Sequence, residues 1–314
     1  MSSSERSCVA VRSASRSEER RRQRRRARRR ARSAGTLASP DGAAAGAAPP
    51  SRFRLDALAV PLARGERPPT WGLNLNAFRQ GVPGPFADAY NAWAAAARRE
   101  LEGTGAYVYP FDYVHVTVAS PAPFTHGPLA EWTAEERGAY TAAVTQALAA
   151  AAAGDARWPR APFELAPARL ELHATCGVLM WDDSAAGGGV GALRACVDAA
   201  RAHAALAPGT RAGGLRARSG DKQPAPGFVH STVMRFAGAR APGVTDAHVE
   251  AAWARAAAAW PAAARARCEA LVLVREVVAY QHMDDGEESV VATFPYAPPP
   301  PPAAADAAAA AAAQ

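Results

Sequence analysis

Two segments of the chain hold residue types able to move protons around a phosphate: Tyr113-Val114-His115-Val116-Thr117-Val118 and Phe228-Val229-His230-Ser231-Thr232-Val233. Each sets an imidazole two residues before a hydroxyl. In a strand, residues i and i+2 point to one face, so His115 projects with Thr117 and His230 with Thr232. Where two such strands face one cleft, two imidazoles and two hydroxyls converge. Imidazole titrates nearest to neutral pH. One neutral ring can take a proton from water while a protonated ring gives one to a leaving oxygen. The hydroxyls can bond the non-bridging oxygens as phosphorus becomes five-coordinate. Such a two-fold set suits in-line cleavage of a phosphodiester without metal, which needs a base on one side of phosphorus and an acid on the other.

A third triplet of this kind, His173-Ala174-Thr175, closes the first strand of a strand pair, and His173 reads as structural. Tyr113 shares the face of His115, as core or as a cleft wall able to stack on a base. Phe228 and Met234 share the face of His230. Arg235 has the opposite parity and reads as solvated or ion-paired. Lys222, in the polar loop 220–227, reads as a solvated charge with the reach to touch a phosphate. Tyr280 and His282 end a strand near the expected cleft rim. Gly187-Gly188-Gly189 lacks the Lys-Ser/Thr of a phosphate-binding loop. Asp182-Asp183 and Asp284-Asp285 read as turn acids.

The elements that position these residues follow from periodicity. Leu55–Leu62 and Trp71–Leu75 are short apolar runs expected as strands. Pro85–Leu101 has helical spacing and opens on Pro. Thr133 and Glu136 stand at capping-box spacing ahead of a helix to Ala153. Gly191–Ala205 reads as a helix, as does Thr245–Trp260 with Thr245 as its N-cap. Phe163–His173 with Gly177–Trp181, and Ala270–Tyr280 with Ser289–Phe294, read as strand pairs. Segments 79–85, 120–130 and 206–227 read as loops. Strand, helix, strand, strand thus occurs twice, once from Tyr113 and once from Phe228. The expected fold is α+β and bilobal, a duplicated arrangement with two antiparallel-type sheets flanking a central cleft and helices outside.

The pair His115-Val116-Thr117-Val118 and His230-Ser231-Thr232-Val233, on equivalent strands of such a chain, resembles the two-histidine (2H) phosphoesterase superfamily. Its members include RNA 2′,3′-cyclic phosphodiesterases, 2′-5′ RNA ligase-like proteins and cyclic-nucleotide phosphodiesterases. The run from His230 to Phe236 is similar to the family's second motif. The resemblance implies that His115 and His230 are the catalytic acid/base pair and that Thr117 and Thr232 bind phosphate. Tyr113 is carried beside them as a substrate-binding candidate, with no cofactor and no metal. Ser231 departs from the usual apolar residue; facing away from the cleft, it is expected to have little consequence.

Composition sets the limits. The chain has 314 residues and a formal net charge of +7, but residues 1–35 hold thirteen Arg and three Glu, so the remainder is slightly acidic. The basicity therefore sits in a tail, and the folded part is not a generic nucleic-acid groove. Residues 1–50 are expected to be a disordered Arg-rich tail, 51–296 the two-lobed domain and 297–314 a Pro/Ala-rich tail. Cys8, Cys176, Cys196 and Cys268 lack metal or redox spacing and read as reduced thiols of an intracellular protein. The expected partner is an RNA end or cyclic nucleotide as substrate, with sequence-independent nucleic-acid contact through the tail, no membrane, and a monomeric state. The competing readings are a non-catalytic RNA or nucleotide binder and an enzyme that cleaves 2′-5′ or 3′-5′ linkages.

Overall fold

The computed structural model describes residues 51–79, 84–184, 187–225, 227–282 and 289–296. The segments 1–50 and 297–314, Cys8 and the Asp284-Asp285 pair lie outside the described residues. In chain order the elements are α1 (Ala59–Ala63), β1 (Pro69–Arg79), α2 (Pro85–Glu100), β2 (Ala106–Val108), β3 (His115–Ala122), α3 (Ala134–Gly154), β4 (Phe163–Leu172), β5 (Cys176–Asp182), α4 (Gly189–Ala200), α5 (Arg211–Ser219), β6 (His230–Phe236), α6 (Asp246–Ala258), β7 (Ala266–Cys268), β8 (Ala270–Val278) and β9 (Val290–Pro295). The fold is α+β, with two antiparallel sheets ordered β3-β1-β8-β9 and β2-β6-β5-β4-β7. Helices α4 and α5 pack on β3 and α3 on β9, while α2 and α6 pair and lie against β2 and β4. No helix among the described residues is long and apolar enough to cross a membrane.

Local chemistry explains most of these elements. Pro85 opens α2, where a missing N–H costs nothing, and Phe86, Tyr90, Trp93, Ala94 and Ala97 bury one stripe of it. Thr133 and Glu136 form the expected capping box on α3, each side chain bonded to the other's backbone N–H at 2.9–3.1 Å. Thr245 caps α6 in the same way, with His248 as the reciprocal partner.

Three expectations give way. Leu55–Leu62 is not a strand: the Asp56 carboxylate accepts from the N–H groups of Leu58 and Ala59, a turn that starts α1 and leaves Leu55 and Leu58 exposed. Segment 206–227 is not all loop, because Thr210 accepts from the Gly213 N–H and Gly220, at φ 71°, ends α5. Those two caps were the available signal; the Gly213-Gly214 pair hid it. Tyr113 does not belong to β3 but to a 3₁₀ turn, Phe111–Tyr113.

The order of elements also left open which hairpin joins which sheet. β3 stands at the edge of the four-stranded sheet, yet the hairpin β4–β5 that follows it stands in the five-stranded sheet beside β6. The hairpin β8–β9 that follows β6 returns to the four-stranded sheet. The two halves therefore exchange hairpins, and β3 and β6 come into contact between the sheets.

Candidate functional site

Each His-x-Thr strand carries a bulge at the same place. Along β3, Thr117 faces Asn76 while Ala119 faces Leu75, so Val118 is an extra residue. Along β6, Thr232 faces Val178 while Met234 faces Gly177, so Val233 is extra. A bulge shifts the alternation by one. His115, Thr117 and then Ser120 share one side of β3, and His230, Thr232 and then Arg235 share one side of β6. All six line a single cleft of about 280 Å³, close to the lower bound of small-ligand sites.

The bulge corrects the reading of Arg235, which strict alternation sends away from His230. It turns into the cleft, where it pairs with Asp56, donates to the Tyr109 hydroxyl at 2.9 Å and stacks 3.7 Å over the Tyr280 ring. Met234 goes to the core instead, fully buried.

The two imidazoles are held alike. His115 Nδ1 lies 2.9 Å from the Tyr113 carbonyl oxygen, and His230 has the Phe228 backbone as its partner. A carbonyl only accepts, so Nδ1 of His115 carries a proton, and Nε2 is the nitrogen whose protonation can change. Burial first, then the positive charges of Arg194, His173 and Arg235, push the His230 pKa down to about 4. The ring is therefore neutral at pH 7.

Thr117 Oγ1 accepts from Asn74 Nδ2 at 3.3 Å. The Asn74 oxygen is itself fixed by the Ser120 hydroxyl at 3.2 Å and the Leu75 N–H at 3.0 Å. With an acceptor site of Thr117 already used, its own O–H is left to donate into the cleft.

Two braces hold the motif strands together, and neither was legible as function. Ser231, fully buried, donates to the His115 carbonyl at 2.7 Å and accepts from Trp181 Nε1 at 3.0 Å. Ser231 faces away from the cleft as expected, but it is not passive: an apolar residue there would remove both bonds. Arg194, 6% exposed, donates to the carbonyls of Thr117, Val118, Ala225 and Phe228 at 3.0–3.3 Å. Its guanidinium thus clamps β3 to the approach of β6.

The remaining candidates scatter. Tyr113 does not line the cleft; its ring stacks on His282 at 4.1 Å and its hydroxyl accepts from Arg67 at 2.8 Å. One ring face is thus occupied, because the 3₁₀ turn takes it off the strand. His282 is fully buried rather than at a rim. His173 is exposed and pairs with Glu171 at 3.3 Å. Lys222 lines the cleft, and its loop is tied to β3 by two backbone bonds with Ser120. Asp183 caps α4, accepting from Val190 and Gly191 at 2.8–2.9 Å. That carboxylate occupies the helix end beside Gly187-Gly188-Gly189, where an anion would otherwise sit. Cys176, Cys196 and Cys268 are free thiols, and burial raises the pKa of each.

No protein-family profile matches the chain, and no curated protein matches it in sequence. Among solved structures, it is similar to the crystal structure of TT0787 of Thermus thermophilus, at 16% identity and a TM-score of 0.35, over 72% of this chain and 98% of that one.

Proposed function

We propose that the chain is a metal-independent phosphodiesterase acting on 2′,3′-cyclic phosphates of RNA ends or small nucleotides. The observation that carries this reading is the opening of both His-x-Thr pairs into one cleft from equivalently bulged strands. The likeness of the two tetrapeptides to the 2H phosphoesterases supports it. His230, neutral at pH 7, takes a proton from water as the water oxygen bonds phosphorus. The phosphorus–oxygen bond to one ribose oxygen breaks, and that oxygen takes a proton from His115. Thr117 and Thr232 hold the non-bridging oxygens, with the Arg235 charge nearby. The product is a phosphomonoester, and solvent returns the two rings to their starting protonation.

The deciding experiment follows an RNA oligonucleotide ending in a 2′,3′-cyclic phosphate by phosphorus NMR, in EDTA. Ring opening to one monophosphate isomer is expected. Binding without opening would favour the nucleotide binder, and opening lost on chelation would sink the metal-independent mechanism.

The pH profile should carry the mark of His230. A base with a pKa of about 4 places the acid limb of kcat/KM near pH 4–5, well below the ordinary 6.5 of histidine. A limb at 6.5 or above would remove His230 from the role of base. The same shift acts on stability. The folded-state pKa lies below the unfolded one, so the contribution is fully present above pH 6.5 and is lost as pH falls through 4.

A further inference from the structure

Glu276 on β8 is 3% exposed and lines the cleft, yet no hydrogen bond or ion pair engages its carboxyl among the described residues. Buried polar groups without partners are rare and are concentrated where a ligand supplies the partner. Its register explains the vacancy. Glu276 lies opposite Gly72 on β1, which has no side chain to offer. A side chain at 72 would strike the Ala122 carbonyl and the Phe124 backbone, each within 2.9 Å of its first atom. Gly72 thus lets the end of β3 cross over and sets Phe124 in the cleft wall. The Phe124 ring meets Tyr280 edge-on at 5.2 Å, and Tyr280 is held at a left-handed φ of 56°.

Across the sheet, β3 carries Thr117 and β8 carries Glu276, with β1 between them. Thr117 lies opposite Asn76 and Glu276 opposite Gly72, four residues further along β1, so two strand spacings and that offset put their Cα atoms roughly 16 Å apart, a span that the two side chains fill with one nucleotide between them. Burial alone pushes the carboxyl up to about 8, so it is neutral at pH 7. It then offers one donor beside one acceptor and does not repel a phosphate.

We propose, resting on the nucleotide reading above, that Glu276 is a specificity residue that pairs with an adjacent donor and acceptor on a nucleobase edge, with Phe124 as the apolar wall beside the base. For adenine, the carboxyl C=O accepts from the exocyclic amine and its O–H donates to the neighbouring ring nitrogen.

The test is calorimetric binding of adenosine 3′-monophosphate and its N6,N6-dimethyl analogue, which lacks the donor, to the full chain at pH 7. The wild type should bind adenosine 3′-monophosphate about tenfold more tightly, the effect of one hydrogen bond. Glu276→Leu should equalise the two, and Glu276→Gln, which keeps a donor and an acceptor, should retain the preference. Equal binding by the wild type, a preference that survives in Glu276→Leu, or no binding of either nucleotide overturns the proposal. The wild-type comparison needs no variant to fold. Since it needs no turnover either, discrimination without ring opening would sink the enzymatic reading alone, and ring opening without discrimination would sink this one alone.

Discussion

Replacing either His115 or His230 with Ala lowers kcat for ring opening by about 10³-fold or more, with the protein still folded. General acid and base catalysis each contribute about 10²–10⁴-fold, and water is a poor substitute at both positions. In the proposed mechanism the two rings act in one transition state, so the double variant should be little worse than either single one. Folding should survive, because both rings are only half-buried. His115 forgoes one bond to the Tyr113 carbonyl, about 1 kcal/mol, and His230 forgoes its bond with the Phe228 backbone. Single-turnover rates on the cyclic substrate, with circular dichroism as the folding check, decide the matter. A loss of less than tenfold in either variant would mean that the chemistry lies elsewhere.

Arg194→Met should lower both stability and activity. The side chain satisfies four carbonyls from two segments, and their buried acceptors would lose a charged donor. A loss of about 3 kcal/mol is expected from truncating one such buried network, or a fall in Tm of about 10 °C at this size. Arg194 is a positioning residue, since it reaches the backbone of the motif strands and not the reacting atoms. Two readouts separate that role from simple support. Below the melting transition, kcat should fall about tenfold with KM changed less, because the strands that aim the imidazoles are no longer clamped. The acid limb of the pH profile should also move upward, because the Arg194 charge helps to depress the His230 pKa. A variant that is less stable but has unchanged kcat and an unchanged limb would reduce Arg194 to scaffold.

The amino-acid sequence by itself determined the two His-x-Thr pairs and the elements that display them. His115 with Thr117, and His230 with Thr232, follow from strand parity over two residues, a span in which neither β3 nor β6 carries an extra residue. The helices opened by Pro85, Thr133 and Thr245 follow from caps and apolar stripes, which act within a turn or two. Parity failed at the third residue past each Thr. An extra residue in each strand sends Arg235 and Ser120 into the cleft, and a bulge is set by the partner strand as much as by its own residues.

Only the tertiary structure decided the rest, because those features join residues far apart in the chain. The hairpin exchange that brings β3 against β6 is a choice between equivalent sheet edges, which local pattern does not distinguish. Ser231 reads as a passive outward residue until the His115 carbonyl, 116 positions away, is placed against it. Arg194 reads as one charge on a helix until four carbonyls converge on it. Glu276 looks like a solvated residue by its charge, yet it points to the face opposite its exposed neighbours Arg275 and Val277, and the crossing of the chain over Gly72 encloses it in the cleft. Side-chain type and spacing give the two imidazole–hydroxyl pairs, whereas burial, charge environment and pairing arise from contacts that exist only once the two sheets have closed on each other.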